Sequence, residues 1–219
     1  MKTVYALVGD YYHAEDNIRH SLELALQPLT DRGGLKLEYI STDALVSSLE
    51  LKPAAVVLFK EDRVNPKEGE TRWLTEAVSD AITAYVEAGG GFVTWHSGLA
   101  SYPPESSFIR MLRGYFEYHP AKHQTVSYRG ELPGSESQAV SFDLLDEHYF
   151  VNCDEANTEV FLRSESVDGV SIAGWRHSFG QGRICCLTPA HNKEGLLDSD
   201  MLEMVRSCVL DVCGAGEEE

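Results

Sequence analysis

The sequence has no apolar run approaching the roughly 18 residues needed to cross a bilayer. Its first residues, Met1-Lys2-Thr3-Val4-Tyr5-Ala6-Leu7-Val8-Gly9-Asp10, lack the apolar core and cleavage site of a signal peptide and read as a strand. A cytoplasmic protein with no membrane partner is therefore expected. Positive charge is scarce: 18 Lys and Arg stand against 35 Asp and Glu, a formal net charge of −17. That balance repels phosphate backbones and anionic lipid surfaces, so nucleic acid is not an expected partner. Only Glu217-Glu218-Glu219 is a pure acidic run, read as a solvated tail. The five cysteines, Cys153, Cys185, Cys186, Cys208 and Cys213, are odd in number and include no CxxC pair. They read as reduced thiols, Cys185 and Cys186 inside an apolar strand.

Motifs are lacking too. There is no GxSxG elbow for a serine nucleophile. Gly89-Gly90-Gly91 precedes a strand, whereas a dinucleotide fingerprint follows one and opens a helix. Gly180-Gln181-Gly182 reads as a hairpin turn. With no internal repeat and no linker, residues 1–216 are expected to form one domain.

What is present is strand–helix alternation. Thr3 to Gly9, Leu35 to Ile40, Ala54 to Phe59 and Gly91 to Trp95 read as strands. Between them lie helical stripes: Ile18, Leu22, Ala25, Leu26 and Leu29; a short segment from Asp43 to Leu49; and Trp73, Leu74, Ala77, Val78, Ala81, Ile82, Tyr85 and Val86. This pattern predicts a mainly parallel sheet flanked by helices. The second half is richer in strands: Gln124 to Tyr128, Val140 to Val151, Thr158 to Arg163, Val170 to Trp175 and Arg183 to Leu187. They are preceded by a short helix around Phe108 to Leu112 and followed by one from Asp198 to Val212. The extra strands read as an insertion before the last core strand.

In an open α/β sheet the ligand crevice lies outside the carboxyl ends of the strands. His13 follows the first strand, His96 the fourth and His191 the last, so all three can face one crevice. Asp146-Glu147-His148-Tyr149 adds carboxylates, and if it is extended, Asp146 and His148 share one face while Glu147 and Tyr149 share the other. His119 and His123 are four apart, a metal-pair spacing on a helix, but Pro120 argues against a helix there. His20, His123 and His177 read as ordinary histidines, and Trp175 by itself reads as core.

Taken in order, Gly89-Gly90-Gly91-Phe92-Val93-Thr94-Trp95-His96-Ser97-Gly98, Gly114-Tyr115-Phe116 with His119-Pro120, Asp146-Glu147-His148-Tyr149, Trp175 with Gly180-Gln181-Gly182-Arg183, and His191 resemble the ThuA-like (trehalose utilisation) family. The resemblance spans nearly the whole chain, and His13 ahead of Ile18-Arg19 fits it. Pro189-Ala190 departs from it, because the family usually has a glycine before the position of His191.

The resemblance implies a flavodoxin-like three-layer α/β sandwich similar to class I glutamine amidotransferases. It does not imply amidotransferase chemistry, since a histidine stands at the elbow. It implies work on trehalose or related disaccharides and their 3-keto derivatives, with a small-molecule sugar as partner. On this reading His96, Glu147 and His191 are the catalytic candidates, and Glu147 moves protons. His13, His119, Tyr149 and Trp175 bind substrate. No cofactor is fixed; a divalent metal such as zinc, held by His96, His119 and His191, is one expectation, and direct action of the imidazoles is the other. A non-catalytic sugar-binding or interaction protein on the same scaffold is the alternative, and a homo-oligomer is left open.

Overall fold

The computed structural model describes residues 1–134 and 138–214. The acidic run at 217–219 and the last two residues of the expected domain lie outside them. The elements are β1 (Lys2–Val8), α1 (Glu15–Thr30), β2 (Leu35–Tyr39), α2 (Leu45–Glu50), β3 (Ala55–Phe59), α3 (Glu76–Glu87), β4 (Gly91–Trp95), α4 (Ser107–Leu112), β5 (Gly114–Tyr118), β6 (Gln124–Glu131), β7 (Ala139–Asp146), β8 (Phe150–Cys153), β9 (Glu159–Ser166), β10 (Gly169–Phe179), β11 (Gly182–Leu187), α5 (Lys193–Leu196) and α6 (Ser199–Val212). Among them no helix is long and apolar enough to cross a membrane.

One nine-stranded sheet runs in the order β2-β1-β3-β4-β11-β10-β9-β6-β7. From β2 to β11 every neighbouring pair is parallel. From β11 to β7 every pair is antiparallel. The sheet is therefore parallel only in its first half. The strand-rich insertion does not stand apart, because β10, β9, β6 and β7 continue the same sheet. Among the described residues, β5 and β8 form a separate two-stranded sheet.

The parallel strands are apolar throughout because both faces are covered. Alternate residues serve opposite layers. Val4, Ala6, Val57, Val93, Trp95, Cys185 and Leu187 pack under α1 and α6. Tyr5, Leu7, Val56, Leu58, Phe92, Ile184 and Cys186 pack under α2, α3 and α4.

Two expected elements differ. The third helix starts at Glu76, where the Thr75 side chain accepts from the Val78 N–H. Trp73 lies outside the helix and donates its indole N–H to the Glu61 carbonyl. The expected strand from Val140 to Val151 is two strands, broken at residues 147–149. There the Asp146 carboxylate takes the Glu147 N–H at 2.9 Å and the ladder ends. Residues 147–149 thus belong to neither strand. Asp146, His148 and Tyr149 are all buried, and the expected grouping of faces still holds, Glu147 and Tyr149 on one side and Asp146 and His148 on the other.

Candidate functional site

Asp10, at the exit of β1, ties three strand ends together. Its Oδ1 accepts from the backbone N–H groups of Tyr12 and His13 and lies 2.6 Å from His13 Nδ1. Its Oδ2 accepts from the Glu61 N–H beyond β3 and from Ser97 Oγ beyond β4, the latter at 2.6 Å. Burial works to raise the Asp10 pKa, but the bonds from His13, Ser97 and Tyr12 outweigh it and hold the carboxyl at about 2.

His96 follows β4 with φ of 47°. A non-glycine residue in this left-handed region is strained and belongs where a function over-determines it. The turn also requires Gly98, since a Cβ there would stand 2.3 Å from the Leu58 carbonyl oxygen. The turn places the His96 ring fully inside, with Nδ1 2.7 Å from the Thr188 carbonyl. A carbonyl accepts only, so Nδ1 carries the hydrogen, and in the neutral ring Nε2 presents a lone pair. That Nε2 is buried and has no hydrogen-bond partner.

His191 is aimed by Asp146, whose Oδ1 accepts the His191 backbone N–H at 2.8 Å. The same carboxylate, 1 % exposed, fixes Glu147 and takes the Tyr128 hydroxyl. Its pKa is raised by burial. His191 Nδ1 lies 2.9 Å from His13 Nε2 and 3.3 Å from Glu147 Oε2. Burial pushes the His191 pKa down to about 4, so the ring is neutral at pH 7.

Glu147 stands at the centre. Oε2 is 3.6 Å from His96 Nε2, and Oε1 is 3.7 Å from His119 Nε2 and 3.8 Å from His123 Nε2. Burial works to raise its pKa, but the protonated forms of the surrounding imidazoles, His96 first, pull it the other way and hold the carboxyl low.

Above this cluster opens a cavity of about 390 Å³. Phe116 and Tyr149 form an aromatic wall, Tyr149 stacked on His96 with ring centres 4.2 Å apart. Opposite are Glu61, Arg63 and Ser101, with Glu61 Oε2 accepting from Arg63 Nε and Ser101 Oγ.

Of the residues singled out by sequence, His13, His96, His191 and Glu147 come together. Each offers one ligand atom, and these atoms lie within 4.8 Å of one another. Tyr149 lines the cavity, while His119 stands at its rim, a third exposed, with Nδ1 against the carbonyl of Pro120. Of the expected metal set His96, His119 and His191, His119 lies outside this group, its Nε2 3.7 Å from Glu147 Oε1.

Trp175 is also corrected. It is fully buried in the layer under α4, donates to the Leu112 carbonyl, and is absent from the cavity lining. His148 turns away to Ser164 and Ser166. His123, read as ordinary, reaches Glu147. Sequence reasoning also missed Glu61, Arg63, Ser101 and Phe116. Glu61 follows β3, so the rule that found His13 and His96 would have found it.

A family model described as ThuA, trehalose utilisation, matches residues 6–210. Among solved structures, the chain is similar to a ThuA-like protein of Bacteroides uniformis, at TM-score 0.70 and 18 % identity over 97 % of this chain and 91 % of that one. It is similar to a ThuA-like protein of Parabacteroides merdae, at TM-score 0.73 and 12 % identity over 100 % and 92 %. It is also similar to a cytoplasmic protein of Salmonella typhimurium, at TM-score 0.65 and 12 % identity over 96 % and 99 %. No curated protein matches it.

Proposed function

The chain belongs to the trehalose-utilisation (ThuA) family, and from that premise we propose that it is an enzyme acting on a disaccharide or a 3-keto sugar derived from one. The observation that carries this is Glu147, ringed by imidazoles on the floor of a cavity of about 390 Å³. A cavity of that size lies within the roughly 300–1,000 Å³ range of small-molecule sites.

The walls suit a sugar. Phe116 and Tyr149 offer ring faces to its C–H groups, and Arg63, Ser101 and Tyr12 offer polar groups to its hydroxyls. Glu147 is ionised at pH 7 and carries the negative charge that a reacting proton or a developing positive charge would meet. Its neighbours His119 and His123 are placed to pass that proton toward the rim. Hydrolysis or isomerisation both fit such a centre.

A flavodoxin-like sandwich and a cytoplasmic setting are part of the same reading. They are supported by the strand order β2-β1-β3-β4-β11 and by the cytoplasmic Salmonella protein among the similar structures.

The test is incubation of purified protein with trehalose and with its 3-keto derivative, products being followed by NMR. Consumption of either supports the proposal. Persistence of both, with the protein shown to be folded, overturns it.

A further inference from the structure

Four electron-rich atoms converge beneath the cavity. The hydrogen of His96 Nδ1 goes to the Thr188 carbonyl and that of His13 Nδ1 to Asp10. In the neutral rings both Nε2 atoms then point inward as lone pairs. His191 Nδ1 and Glu147 Oε2 complete the group. A hydrogen on His191 Nδ1 can serve His13 Nε2 at 2.9 Å, but His96 Nε2 stays buried without a donor. Such a nitrogen is costly unless something electrophilic meets it.

The spacing says what that is. Metal–nitrogen and metal–oxygen bonds of about 2.0–2.2 Å in a tetrahedron set ligand atoms about 3.3–3.5 Å apart. The separations here are 2.9 Å from His13 to His191, 3.3 Å from His191 to Glu147 and 3.6 Å from His96 to Glu147. They straddle the tetrahedral edge, with all four atoms within 4.8 Å of one another.

The outer groups fit as well. Ligating histidines donate their other N–H to a carboxylate or carbonyl, as His13 does to Asp10 and His96 to Thr188. Asp146 anchors the backbone of both His191 and Glu147.

We propose that His13 Nε2, His96 Nε2, His191 Nδ1 and Glu147 Oε2 hold one divalent transition-metal ion, zinc best matching three imidazoles and a carboxylate in tetrahedral array. The site lies in the centre proposed above for sugar chemistry and deepens that reading. Bound there and expanded to a fifth ligand from the cavity, the ion would polarise a sugar carbonyl or hydroxyl reaching the floor. Glu147 Oε1 stays turned toward His119 and His123.

Chelator-stripped protein is equilibrated with micromolar zinc, desalted and assayed by elemental analysis, and a second sample is loaded with cobalt(II) for visible spectroscopy. The expectation is about one zinc per chain and the visible absorption of tetrahedral cobalt. Asp10→Asn keeps all four ligands and should bind zinc about 10–100-fold more weakly. His96→Gln should bind little, and His20→Gln, an exposed histidine elsewhere, should match the parent.

Folded parent protein that retains only a trace of zinc overturns the site, as does full zinc content in a folded His96→Gln, His191→Gln double variant. Zinc-loaded protein that leaves both sugars intact upholds the site and removes the enzymatic reading. Protein that converts sugar without retaining zinc does the reverse.

Discussion

Asp10 accepts from His13, Ser97 and the backbone beyond β3, yet its side chain is only 1 % exposed. Asp10→Ala strips partners from several buried donors at once, so urea unfolding should show a loss of about 2–4 kcal/mol. A loss near zero would mean that these strand ends hold their places without it. This role was not legible in the sequence, where Asp10 is one acid among many; only the fold brings Glu61 and Ser97 to it. The histidines were easier. His13, His96 and His191 each follow an apolar strand, and parallel strands align their carboxyl ends at one edge. Trp175 misled for the opposite reason, because its motif says nothing of depth and its alternation places it under α4.

The strand β10 carries a different test. His177 Nε2 bonds the Met111 carbonyl on α4 at 2.9 Å, joining that helix to the sheet, while its Nδ1 is buried without a partner. Burial lowers its pKa from 6.5 to about 4 in the folded protein. Above pH 6.5 the ring is neutral in both folded and unfolded chains and adds no pH dependence. As pH falls from about 6.5 toward about 4, the unfolded chain takes the proton first, so stability declines. Urea midpoints measured across this window should fall, and His177→Gln should flatten the slope; an unchanged slope would exclude His177 as its source. The elements themselves were legible where burial on both faces writes a continuous apolar run, as in β3 and β4. They were not legible where a side chain decides. Asp146 ends β7 by capping Glu147, and β5 exists through its pairing with β8.

Across the whole molecule, a parallel half-sheet supplies the aligned strand ends, and Phe116 of β5, His119 just after it and Tyr149 from the break between β7 and β8 line the cavity over them. The net charge of −17 disfavours anionic polymers as partners. The central claim is that this cavity, with Glu147 on its floor, is where a sugar is transformed. The most direct measurement is kcat/KM for the 3-keto disaccharide with the parent protein and with Glu147→Gln, both shown by thermal melting to be equally folded. The account predicts a loss on the order of 10²-fold or more in the variant; equal rates for the two proteins would contradict it.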